Sequence, residues 1–223
     1  MGKTVQLTAD DGHQLDAYRA VPDGVPLGAV VVIQEIFGVN SHIREVTDGF
    51  AREGYIAIAP AIFDRFEKDV ELGYEADDIS IGREFKTKGN KNLNNILADV
   101  KAAYEAVQDN SFVGITGYCW GGVIVWAAAC HLNFDAASSY YGGGIVDLIN
   151  ETPKCQTIMH FGREDDTIPL EDVNIISKAH PNVTIHLYDA GHGFNCDRRG
   201  SYDEKSAELA LTRTLELFAG AIS

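Results

Sequence analysis

The sequence predicts an α/β fold in which a mostly parallel central sheet is covered by helices on both faces. Three observations carry that expectation. Short apolar runs such as Gly28-Ala-Val-Val-Val-Ile33 and Tyr55-Ile-Ala-Ile-Ala-Pro60 are continuous, as in strands buried on both faces. These runs alternate along the chain with longer segments of helical periodicity, the pattern of a parallel sheet with crossover helices. The 223 residues contain no internal repeat and no linker, which fits one domain over 1–223, long enough to bury about 70% of its unfolded surface.

In chain order, residues 4–8 and 14–20 alternate in polarity around Asp10-Asp11-Gly12 and predict a hairpin at a sheet edge. A buried strand over 27–33 runs into the turn Gln34 to Asn40, Ser41 can cap a helix reaching about Arg52, and Gly54 stops it before a strand over 55–60 that ends on its proline. Residues 61 to about 90 intersperse acidic groups with aromatics and predict a long irregular loop with short helices, either a lid or binding segment or a solvated excursion. From Asn92 to Val107 the residues Leu93, Ile96, Leu97, Val100, Ala103, Tyr104 and Val107 recur at helical spacing. Strands are then expected over 111–117, 134–141, 156–162 and 183–188, with helices over 123–130 and 170–179. A last helix, 203–218, places Ala207, Leu211, Thr214, Leu215 and Phe218 along one side.

Composition narrows the function. The formal net charge of −15 repels phosphate backbones and anionic lipid, so neither nucleic acid nor a membrane surface is an expected partner. The N-terminal residues lack the apolar stretch of a signal peptide and no apolar run approaches the ~20 residues of a membrane span, which leads to an expected cytoplasmic location. Cys119, Cys130, Cys155 and Cys196 show no C-x-x-C spacing and are too few to staple the chain, so reduced thiols are expected and no metal site or cofactor is implied. The partner this leaves is a small molecule.

In such a sheet, ligands collect beyond the carboxyl ends of the strands. Four strand ends carry chemistry: Gln34-Glu35-Ile36-Phe37-Gly38, Cys119, the segment Gly162 to Pro169, and Asp189-Ala190-Gly191-His192-Gly193-Phe194. Gly117, Cys119 and Gly121 form G-x-C-x-G, the thiol counterpart of the G-x-S-x-G elbow, in which a strained strand-to-helix turn lifts a nucleophile into a cleft. Trp120, next in the chain, offers its backbone N–H at a helix N-terminus, where negative charge is stabilised. Nucleophile, acid and histidine follow one another in the chain order of the α/β-hydrolase triad, with Asp165 and Asp166 both available as the acid.

Taken together, Gln34-Glu35-Ile36-Phe37-Gly38-Val39-Asn40, Gly117-Tyr118-Cys119-Trp120-Gly121-Gly122, Gly162 to Pro169 and Gly191-His192-Gly193-Phe194 resemble, in order and over nearly the whole chain, the dienelactone hydrolase (carboxymethylenebutenolidase) family of α/β hydrolases. The resemblance implies the α/β-hydrolase fold and hydrolysis of a small lactone or ester through an acyl-cysteine. It further implies Cys119 as nucleophile, His192 as base and Glu35 as a carboxylate facing the thiol. The family pattern places the acid three residues after Gly162 and four before Pro169, which selects Asp165. The backbone N–H groups of Ile36 and Trp120 are the expected oxyanion hole.

Each of these residues also has an ordinary role open to it. Glu35 could anchor Arg44 or Arg83, a histidine beside glycine is unremarkable, and Cys130, Cys155 and Cys196 read as packing residues. A reactive Cys119 on the same fold would also suit a non-catalytic redox sensor. Family members that open anionic lactones carry an arginine a few residues after the histidine; here the fourth position past His192 is Cys196. Arg83 and Arg198 are the substitutes considered for contact with a substrate carboxylate. Without a local cation, neutral lactones or esters should be processed at least as well as anionic ones.

Overall fold

The structure, a computed structural model, describes residues 2–222. The described chain contains eight strands and six α-helices in the alternation expected of the α/β class. It forms two compact units, one ending at residue 115 and the other beginning at 116.

The first unit opens with the hairpin β1 (Lys3–Thr8) and β2 (Gln14–Ala20), antiparallel, as its alternating polarity predicts. β3 (Gly28–Ile33) and β4 (Tyr55–Pro60) pair in parallel, and β2 joins β4 antiparallel, giving the order β1-β2-β4-β3. Every residue of β3 is buried, which is why its sequence shows no polar alternation. Leu27, placed in that strand on sequence grounds, lies before it and is exposed. Helix α1 (Ser41–Arg52) is capped by Asn40, whose side chain accepts the Ile43 N–H, so Ser41 is its first residue and not its cap.

The 61–90 segment departs most from expectation. A 3₁₀ turn, Ile62–Arg65, is followed by a 16-residue helix, α2 (Ala76–Lys91), where only short helices were expected. A capping box between Glu75 and Asp78 starts α2. It buries only Gly82, Phe85 and Gly89, so it has no apolar stripe for periodicity to detect, and two interior glycines, each costing about 1 kcal/mol against alanine, argue locally against a helix. Tertiary contact offsets this: α2 lies so close to the loop after β3 that a Cβ at Gly82 would run into the Ile36 carbonyl. The chain before α2 crosses the same loop, with Leu72 N–H donating to Phe37 O and Asn40 Nδ2 to Leu72 O. Helix α3 (Leu93–Glu105) follows the predicted periodicity, with Ile96, Leu97, Val100 and Ala103 buried.

The chain passes into the second unit within β5 (Val113–Tyr118). After α4 (Trp120–His131), the strands β6 (Ala136–Tyr140), β7 (Gln156–Gly162) and β8 (Thr184–Tyr188) pair in parallel, with α5 (Leu170–Ala179) between the last two and α6 (Glu204–Ala221) closing the chain. α4 has ten of its twelve residues buried, a helix apolar all round. α6 buries Ala207, Thr214 and Phe218 of the predicted side together with Ala210 and Leu217, whereas Leu211 is exposed and Leu215 only partly covered. The buried side carries a polar contact. Thr214 Oγ1 meets Tyr140 OH and Ser138 Oγ, each at 2.8 Å, while His160, buried on β7, contacts Tyr188 OH at 2.7 Å and Ser138 Oγ at 3.1 Å. Burial holds the His160 pKa well below the usual histidine range, so the ring serves as a neutral hydrogen-bonding tie. Among the described residues, no helix is long and apolar enough to cross a membrane.

Candidate active site

At the turn between β5 and α4, Cys119 has φ 55° and ψ −116°. A residue with a Cβ enters such a region at a cost of about 1–3 kcal/mol, so the surroundings must impose it. Cys119 N–H donates to Tyr140 O and Gly122 N–H donates to Cys119 O, both at 3.0 Å. Gly122 has no room for a side chain: a Cβ would lie 2.7 Å from Tyr140 O and 2.8 Å from Ser139 Oγ. That glycine lets α4 settle against β6, and the strain falls on Cys119, the residue between. Trp120 is the first residue of α4, so its N–H belongs to the helix end that favours negative charge.

Two backbone bonds then join the loops after β7 and β8. Arg163 N–H donates to Tyr188 O at 2.7 Å and Glu164 N–H to Ala190 O at 3.1 Å. Gly162 makes this approach possible, because a Cβ there would run into Ala190 O. The consequence is that His192 meets Asp165 and Cys119: Nδ1 lies 2.7 Å from Asp165 Oδ2 and Nε2 lies 3.2 Å from Cys119 Sγ. The ring is steadied by Tyr141, another residue at positive φ (37°), whose ring packs edge-on against it at 5.2 Å, and by the Ser201 hydroxyl, which donates to His192 O.

Asp165 and Asp166, equivalent by composition, separate here by burial. The Asp165 side chain is fully buried and Asp166 is exposed. Asp165 Oδ1 accepts from Thr167 N–H (2.8 Å), Thr167 Oγ1–H (2.7 Å) and Ile168 N–H (3.1 Å). Burial pushes the Asp165 pKa up, but the bonds from His192 and Thr167 outweigh it and leave it below the usual carboxylate value. For His192, burial pulls the other way from its partners; Asp165 and Cys119 prevail and push the imidazole up to about 10. The arrangement can pass a proton from a thiol to an imidazole whose charged form is already favoured.

Of the other thiols, burial pushes Cys130 up to about 12 and raises half-buried Cys155, and Cys196 is fully buried. Glu35 and Ile36 lie in the first unit, after β3, both buried. Arg44 forks onto Glu71 at 2.5 and 2.7 Å, so its carboxylate anchor is Glu71. Arg83 stands exposed on α2, and Arg198 is half-exposed, 3.6 Å from Asp197. The arginine drawn towards the histidine loop is Arg199, whose guanidinium lies against the backbone of Gly193. Thr167, Tyr141 and Arg199 were not singled out from sequence. Of these only Thr167 had a local signal, since an Asp followed two residues later by a donor is a common side-chain-to-backbone turn.

A sequence profile described as the dienelactone hydrolase family matches residues 15–222. A relative named putative carboxymethylenebutenolidase from Synechocystis sp. is 40% identical, over 97% of this chain and 96% of its own length. The carboxymethylenebutenolidase of Pseudomonas putida is 28% identical over 96% of this chain and 95% of its own. Among solved structures, that of a putative dienelactone hydrolase from Klebsiella pneumoniae is similar with a TM-score of 0.82 at 29% identity, covering 98% of this chain and 99% of that one.

Proposed function

We propose that this chain, which belongs to the dienelactone hydrolase family of α/β hydrolases, cleaves small carboxylic esters or lactones through an acyl-cysteine on Cys119. The observation that carries the reading is the continuous relay Asp165–His192–Cys119, ending on a thiol held at positive φ at a helix N-terminus. His192 Nε2 accepts the thiol proton, and Sγ attacks the substrate carbonyl carbon. The carbon–alkoxy bond then breaks, and the leaving oxygen takes the proton back from His192. In a lactone that oxygen stays tethered in the acyl group. His192 next deprotonates a water that attacks the thioester, the carbon–sulfur bond breaks as Sγ takes that proton back from His192, and the acid departs. Asp165 keeps Nδ1 protonated and stabilises the imidazolium in both halves. The Trp120 N–H is the donor offered to the oxyanion. The whole of 1–223 is proposed to act as a single domain.

The preference between neutral and anionic substrates turns on Arg199 as well as on Arg83 and Arg198, and we propose that neutral esters and lactones are turned over at least as well as anionic ones. The test is turnover of p-nitrophenyl acetate and of a neutral lactone, with intact-mass trapping of an acyl adduct and its mapping to Cys119. Turnover lost in Cys119→Ala supports the assignment. A wild-type protein that oxidises at Cys119 but neither acylates nor turns over would replace it with the redox-sensor reading.

A further inference from the structure

We infer that Thr167 is a positioning residue whose hydroxyl closes a ring with Asp165 and His192 and thereby fixes the imidazole tautomer; the inference rests on the Cys119–His192–Asp165 reading above. The hydroxyl lies 2.7 Å from Asp165 Oδ1 and 3.1 Å from His192 Nδ1. A hydroxyl has one proton to give and two lone pairs to offer. A carboxylate oxygen only accepts, so the proton goes to Oδ1, and towards the imidazole Thr167 can only accept. The Nδ1–H is therefore shared between Asp165 Oδ2 at 2.7 Å and Thr167 Oγ1 at 3.1 Å. The opposite tautomer would face an Nδ1 lone pair towards two acceptors. In the neutral ring, the form that accepts the thiol proton, Nε2 is thus left with its lone pair towards Cys119 Sγ.

The division of labour on Asp165 predicts how large the effect is. Oδ1 also accepts from the Thr167 and Ile168 N–H groups, and these remain when the hydroxyl is removed. The carboxylate then stays in place and only the ring's second acceptor is lost. Removing one hydrogen bond to a charged group should lower kcat/KM about ten- to a hundred-fold, less than removal of the Asp165 charge.

Thr167→Val, which keeps the shape without the hydroxyl, Thr167→Ala as a second variant without branching, Thr167→Ser and Asp165→Asn are assayed with p-nitrophenyl acetate. The His192 Nδ1–H proton resonance is recorded in each. The expected result is a ten- to hundred-fold loss in kcat with little change in KM for Val and Ala, a resonance broadened by exchange in both, and recovery of rate and resonance in Ser. Val and Ala variants within twofold of wild type beside an inactive Asp165→Asn would overturn the inference alone. A serine variant as impaired as valine would do the same. An Asp165→Asn protein with wild-type turnover would overturn the triad reading, and this inference with it.

Discussion

Each unit buries a carboxylate against a cationic partner, and the two outcomes differ. In the first unit Asp99 is fully buried on α3 and receives a fork from Arg65, at 2.7 and 2.6 Å, while the same guanidinium reaches Asp11 in the hairpin turn at 2.7 Å. Burial nevertheless wins at Asp99 and raises its pKa. In the second unit Asp165 is as deeply buried, yet its pKa falls. The difference lies in the partners: His192 lowers Asp165 most and the Thr167 hydroxyl and N–H add to it, whereas the ion pair at Asp99 is the tie between a helix, a 3₁₀ turn and a hairpin. A carboxylate held ionised chiefly by the imidazole beside it, with the Thr167 donors adding to that, can orient that imidazole through a reaction. One balanced against a single guanidinium serves to hold elements together.

The sharpest way to break this contrast is to remove each charge in turn. Asp165→Asn should lower esterase kcat by about four orders of magnitude, as expected when a triad histidine is held in the wrong tautomer, while exposed Asp166→Asn stays near wild type. Comparable losses in both would leave the acid unassigned. Thiol labelling sharpens the same region. Iodoacetamide at pH 7.5 should alkylate Cys119 first and Cys130 more than a thousand-fold more slowly, since a thiol with its pKa at about 12 is almost wholly protonated there. Peptide mapping decides it, and first labelling at Cys196 or Cys155 would contradict the site.

On the structural side, Arg65→Met leaves Asp99 buried without its guanidinium and should cost about 3–5 kcal/mol in urea unfolding, with kcat of the folded protein unchanged. An equal fall in kcat would mean that the two regions do not divide as described. A further effect is in the pH dependence of stability. The folded-state pKa of His192 is raised, from 6.5 to about 10, so its contribution is complete below pH 6.5 and is lost as pH rises towards 10. The stability gap between wild type and His192→Gln should therefore narrow between pH 6 and pH 10. A gap that widened would put the charged imidazole on the wrong side of the balance.

What the sequence determined by itself is local. Continuous apolar runs marked β3 and β4, the period of 3.6 marked α3, and glycines two positions either side of Cys119 marked the elbow, because each depends on residues close in the chain. Even Asn40 and Ser41 could be ordered only by seeing which side chain reached the Ile43 N–H, a difference of one residue between two good capping types. α2 was decided by tertiary contact, persisting through close approach over Gly82 with little apolar burial, and in α6 tertiary contact decided only that Ala210 and Leu217, and not Leu211, join Ala207, Thr214 and Phe218 inside. The site divides in the same way. Which types of residue stand at the strand ends was written in the chain. That Asp165 is buried and Asp166 exposed, and that Thr167 touches both Asp165 and His192, follows only once the loops after β7 and β8 are bonded to each other through Arg163 and Glu164, because side chains 27 residues apart are brought to 2.7 Å by packing and not by sequence spacing.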